Sequence, residues 1–180
     1  MNIFAAVLAL FLHQPAPAFP AQIILIRHAE KPADVSNPHL SPAGAQRAKK
    51  LVGFLTTDPQ MTKFGLPVAV FATHVTKDYN GQRTQETMAP LAAALKLQVQ
   101  TPFLGKDYAA LAKMILANPA YAGKTVVICW NHEVIPELAA ALGVTPQPPK
   151  WKASVFDRVY LISYAGGKAT LTELPERLGR

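Results

Sequence analysis

The chain has 180 residues, of which 50% are hydrophobic and 16% charged. An average globular protein is roughly 25% charged, so this one can bury a core and is not intrinsically disordered. Its 10 glycines and 16 prolines stay below the ~25–30% that marks low-complexity chains, and a single cysteine, Cys129, rules out an intrachain disulfide. At about 150 residues per domain the length fits one domain with a short appendage. The net charge of +7 suits anionic partners. The positive residues are scattered, with no run longer than Lys49-Lys50 and few aromatics between them, so nucleic-acid binding is not expected.

Ile3 to Leu12 form an unbroken apolar run, and Ala16-Pro17-Ala18 has the small-x-small form of a secretory cleavage site. The run falls short of the ~20 residues of a membrane span, so stable membrane insertion is not expected. Residues 1–18 are read as a signal peptide and residues 19–180 as the folded domain, with a periplasmic or secreted destination. Met1-Asn2 brings no Lys or Arg, and the alternative is an uncleaved tail on a cytoplasmic protein.

From Gln22 onward strand and helix signals alternate. Gln22 to Ile26 is a short β-branched apolar run, as in a strand covered on both faces. Ser41-Pro42 sets a capping hydroxyl before a proline at the first helical position and opens a helix through Arg47 and Leu51 toward Leu55. A second strand is expected over Val68–Ala72, a second helix from Arg83 to Leu95 and a third over Tyr108–Leu116. Lys124–Trp130 then reads as a strand, and Pro136–Leu142 as a short helix stopped by Gly143. Val155–Ser163 and Ala169–Leu174 flank Gly166-Gly167 as a closing hairpin. Strands separated by helices imply an α/β fold, a three-layer αβα sandwich with a mainly parallel sheet.

In open α/β sheets the ligand crevice lies beyond the carboxyl ends of the strands. Three polar stretches fall there: Arg27 to Pro32, Gln82-Arg83-Thr84, and Asn131-His132-Glu133. A neutral imidazole is a good nucleophile, and two guanidiniums match the geometry of phosphate oxygens. The set describes a phosphoryl site. His28 would attack phosphorus in line, Arg27, Arg83 and His132 would hold the equatorial oxygens, and the neighbouring cations should keep His28 unprotonated. The plain alternative pairs Arg27 with Glu30 and Arg83 with Glu86 as ordinary ion pairs. His132-Glu133 is no metalloprotease motif, because Pro136 stands where a second histidine would be.

Four stretches resemble the histidine phosphatase superfamily in order and spacing: Ile-Leu-Ile-Arg27-His28-Ala-Glu, Leu-Ser-Pro-Ala-Gly44-Ala-Gln-Arg-Ala, Gln-Arg83-Thr-Gln-Glu-Thr-Met-Ala-Pro, and Val-Val-Ile-Cys-Trp-Asn-His132-Glu. The resemblance implies a phosphoglycerate mutase-like fold and metal-independent phosphatase chemistry without a cofactor. It makes His28 the nucleophile, and Arg27, Arg83 and His132 the phosphate pocket. A phosphorylated small molecule or macromolecule would be the substrate and inorganic phosphate the product. Ala29 and Asn131 depart from the glycine, and the glycine or serine, usual at those positions.

The general acid stays open between Glu133, which follows the second histidine directly, Asp107, between the second arginine and that histidine, Glu30, or no dedicated acid at all. Two other activities fit the same pattern, namely an anion-binding module without turnover and a mutase that hands the phosphoryl group to another hydroxyl. Specificity is expected from the loops Asn37–Leu40, Thr73–Gln82 and Thr101–Asp107.

Overall fold

The computed structural model describes residues 19–34, 36–77 and 81–178, so the expected signal peptide over 1–18 lies outside the described residues. Strands β1 (Gln22–Arg27), β2 (Ala69–Phe71), β3 (Val99–Gln100), β4 (Thr125–Trp130), β5 (Arg158–Ala165) and β6 (Lys168–Pro175) form one sheet in the order β3-β2-β4-β1-β5-β6. The pairings β1–β4, β2–β4 and β2–β3 are parallel, and β1–β5 and β5–β6 are antiparallel, so only β5 runs against the other strands.

Every residue of β1 and β4 is buried, which is why both read as apolar runs without alternation. The period-2 geometry of a strand still divides their side chains between two faces. Ile23, Leu25, Ile128 and Trp130 pack with Leu111 and Ile115 of α3 (Tyr108–Ala117) and Leu138 of α4 (Ile135–Ala141). Ile24, Ile26, Val127 and Cys129 pack with Leu51 and Leu55 of α1 (Pro42–Thr57) and Met88 and Leu91 of α2 (Gln82–Leu95). The result is a sheet between two pairs of helices, the three-layer α/β arrangement expected. Cys129 is a buried core thiol, and the rings of Trp151 and Tyr160 pack at a tilt of 56° in the core, with centroids 4.8 Å apart. No helix among the described residues is long and apolar enough to cross a membrane.

Most boundaries shift by a residue or two, and three differences are larger or structural. β3 was not anticipated, because two edge residues leave no periodicity to read. β2 is confined to Ala69–Phe71. β5 begins at Arg158 rather than Val155, because the carbonyls of Ala153 and Val155 are turned to a side chain of β1 instead of a ladder. The Gly166-Gly167 turn forms as expected, with φ of 56° and 78°, the two positive values that a tight hairpin turn of the primed type demands. At that end of the sheet Phe19 stacks on Tyr164 at 5.8 Å.

Helix α1 starts where its cap places it. Ser41 Oγ accepts from the Gly44 amide at 3.0 Å, and Pro42 occupies the first turn. Its buried residues Gly44, Ala48, Leu51 and Leu55 follow the helical spacing of one face. The Ser41 amide donates to the Glu30 carbonyl at 2.9 Å, which draws the helix start against the segment after β1. A Cβ on Gly44 would lie 2.4 Å from that same carbonyl oxygen, so glycine is required there by close approach.

Two glycines of one helix therefore predict opposite outcomes. Gly44→Ala should destabilise by about 1–3 kcal/mol through overpacking against backbone. Gly53→Ala, at an exposed site with nothing within 4 Å, should stabilise by about 0.5–1 kcal/mol. Thermal unfolding checks both, at roughly 2–4 °C per kcal/mol for a chain of this size.

Candidate active site

The β1–β4 ladder is in parallel register, with Arg27 opposite Trp130, and it continues as the His28 amide donates to the Trp130 carbonyl at 3.3 Å. Both strands thus end at one level. The residues that follow them, His28 on one side and Asn131 to Glu133 on the other, open onto a common concavity of about 170 Å3. Gly81, Arg83 and Thr84 reach it from the start of α2, and Lys31 completes the lining.

Arg27 is 1% exposed. Its Nη1 donates to the carbonyls of Ala153 at 2.6 Å and Val155 at 3.0 Å, and its guanidinium lies 3.8 Å above the Phe156 ring. Its Nε is buried without a hydrogen-bond partner among the described residues. Burial pushes the guanidinium down to about 10, opposed by the nearby Glu133 and Glu30 carboxylates. It remains a cation at neutral pH.

His28 is 7% exposed, with its ring edge-on to Phe156 at 6.2 Å. Nδ1 lies 2.7 Å from the Ala29 carbonyl. A carbonyl only accepts, so Nδ1 carries the proton and Nε2 keeps the lone pair. Burial, followed by the charges of Arg27, Arg83 and His132, pushes the imidazole down to about 4 against the opposing pull of the Ala29 hydrogen bond. The sequence reading credited the cations alone, whereas desolvation is the larger cause. His132 is also held below the ordinary histidine range, first by burial and then by Arg27 and Lys31, with Glu133 opposing.

Arg83 lines the crevice while its Nη2 donates to the Asn37 carbonyl at 2.6 Å and its Nε to the His39 carbonyl at 3.2 Å. The loop bearing those carbonyls is tied to α2 in turn, since Glu86 accepts from the Leu40 amide at 2.8 Å and pairs with the His39 ring. Neither plain ion pair forms. Glu86 is taken by His39 and Leu40, and Glu30 by Arg47, whose Nε and Nη2 donate to Oε1 at 2.8 and 2.7 Å.

Of the residues singled out from the sequence, Arg27, His28, Arg83, His132 and Glu133 share the crevice. Asp107 does not line it. It closes the short turn before α3, its amide donating to the Leu104 carbonyl at 2.9 Å, and that turn is pinned by Trp130 Nε1 donating to the Gly105 carbonyl at 2.9 Å. Trp130 is therefore a core residue, and the 101–107 loop contributes nothing to the crevice wall. Lys31, Gly81, Thr84 and Asn131 also line the crevice; they fall in stretches expected there but carried no chemical role. Their position immediately beside motif residues was the available signal. Among the described residues no group of three or more His, Cys, Asp or Glu side chains is placed to hold a metal ion.

No family model and no curated protein sequence matches the chain. Solved structures do. An α-ribazole phosphatase from Shigella flexneri superposes with a TM-score of 0.58 at 15% identity, covering 87% of this chain and 96% of that one. A mycobacterial glucosyl-3-phosphoglycerate phosphatase with inorganic phosphate gives 0.56 at 13% identity over 84% and 95% of the two chains. A phosphoserine phosphatase mutant from Entamoeba histolytica with phosphoserine gives 0.56 at 12% identity over 87% and 97%. The chain thus shares the phosphoglycerate mutase-like fold of these phosphatase structures, the fold that its four motifs imply.

The His28 environment yields a prediction with a definite sign. Its folded value near 4 lies below the 6.5 of a free imidazole, so between these limits the unfolded chain binds more protons than the folded one. Stability should rise with pH from about 4 to about 6.5 through this group, and His28→Gln should flatten that rise. Histidine NMR titration of the native protein should place the His28 midpoint near 4.

Proposed function

We propose that the protein is a metal-independent phosphatase that hydrolyses phosphomonoesters through a phosphohistidine at His28. The observation that carries this reading is the state of His28: a buried, neutral imidazole with Nδ1 committed to the Ala29 carbonyl, in a crevice shared with two guanidiniums and a second imidazole. The phosphatase names of the structural neighbours support it at the level of the fold.

In this mechanism Nε2 attacks phosphorus in line and the ester P–O bond breaks as the N–P bond forms. Arg27, Arg83 and His132 hold the equatorial oxygens as charge redistributes. The unpartnered Nε of Arg27 supplies a donor that a bound anion would satisfy. Glu133 gives its proton to the departing alkoxide and then takes one from the water that attacks the phosphohistidine, releasing inorganic phosphate. Glu133 is preferred to Asp107 because it borders the crevice, and to Glu30 because that carboxylate is held by Arg47.

The concavity is small beside the ~300–1,000 Å3 of sites that enclose a drug-sized ligand. It takes the phosphoryl group and leaves the rest of the ester outside, which suits small phosphomonoesters and phosphorylated side chains alike.

His28→Ala should lower turnover of an aryl phosphate by roughly 10³-fold or more and abolish acid-labile, base-stable labelling of the protein by phosphate. Full activity in that variant would overturn the assignment. Glu133→Gln should cost roughly 10²-fold with alkyl phosphates, the ordinary range for a general acid, and far less with p-nitrophenyl phosphate, whose leaving group needs no proton. Equal losses of kcat/KM on the two substrates would remove Glu133 from the general-acid role.

A further inference from the structure

Arg47 lies outside the crevice, on α1, yet it grips both structures that hold the crevice's buried pair. Toward β1, its Nε and Nη2 donate to Glu30 Oε1 at 2.8 and 2.7 Å, two residues beyond His28. Toward the carboxyl end, its Nη1 donates to Glu176 Oε2 at 2.7 Å. The Glu176 side chain is fully inaccessible, and its amide donates to the Asp157 carbonyl at 2.6 Å. Asp157 ends the 153–157 segment that receives both Nη1 hydrogen bonds of Arg27 and lays Phe156 under its guanidinium.

From this closed path of contacts we propose that Arg47 is a positioning residue, which fixes the Arg27 guanidinium for phosphate by bracing the chain on either side of it. The inference rests on the crevice being a phosphate site. A guanidinium is needed because its planar fork donates in two directions at once, whereas a lysine ammonium reaches one carboxylate as a point charge.

The path runs through Arg27 and does not touch Arg83, whose guanidinium is held by the Asn37 and His39 carbonyls. This separates a positioning role from general loosening of the fold. Loosening would weaken phosphate binding in any background, while positioning through Arg27 would act only where Arg27 is present.

The test titrates inorganic phosphate calorimetrically into the wild type, Arg47→Lys, Arg27→Lys, Arg83→Lys and the two double variants, with thermal unfolding measured alongside. Arg47→Lys should remain folded at the assay temperature and bind phosphate about tenfold more weakly, about 1.4 kcal/mol by the standard conversion. The same substitution should change affinity less than twofold when added to Arg27→Lys, and by its full factor when added to Arg83→Lys. The proposal is overturned if Arg47→Lys binds as the wild type does, or if its effect is undiminished beside Arg27→Lys. If Arg27→Lys fails to fold or to bind, thermal unfolding decides: a tenfold weaker phosphate affinity in Arg47→Lys at an unchanged unfolding temperature, kept in full beside Arg83→Lys, upholds the proposal, and a weakening that comes with a matching loss of thermal stability ends it. Absence of phosphate binding by the wild type would defeat both this inference and the proposed function. Phosphate binding without hydrolysis of any ester would defeat only the latter.

Discussion

The parallel pairing of β1 with β4 is the constraint on which the site depends. Because Arg27 faces Trp130 across the ladder, two segments far apart along the chain leave the sheet side by side, and their first polar residues have nowhere to go but the same hollow. The pairing is secured from both faces by independent apolar layers. A one-residue slip would exchange those layers and carry every side chain to the wrong face, so the register that brings His28 to His132 is held by the whole core.

Upon that frame the site is built from commitments that look wasteful one by one. His28 gives one ring nitrogen to its neighbour's carbonyl, Arg27 gives Nη1 to two carbonyls of a distant loop, and Arg83 spends two donors on the 37–39 segment. In the proposed mechanism each bond removes freedom from a group that must meet charge at a set position. Preorganised donors need no rearrangement when that charge develops, which is where electrostatic stabilisation is most effective.

Much of this was legible in the chain. β1 and β4 announced themselves because burial on both faces leaves no polar residue to interrupt them, and Ser41-Pro42 and Gly166-Gly167 marked a helix start and a turn through backbone chemistry that few other residues supply. The motif residues could be grouped because polar side chains directly after buried strands fall in one place in such sheets. What escaped reading depends on distance in space alone. Nothing local marks Arg47 as the bridge between Glu30 and Glu176, except that it stands one turn before Leu51 on a helix face otherwise turned inward. The reach of Ala153 and Val155 toward Arg27, which delays β5, has no local signature. The absence of Asp107 from the crevice lining goes with Trp130, whose indole fastens the turn before α3, a contact that no local pattern announces.

The stacking of Phe19 on Tyr164 has a directional consequence. β5 runs against β1, so Tyr164, near its end, sits beside the beginning of β1, a full strand length from His28. The polypeptide therefore enters the domain on the pole facing away from the mouth of the hollow. A tether or fusion joined at Phe19 would be attached at the pole opposite the mouth of the hollow.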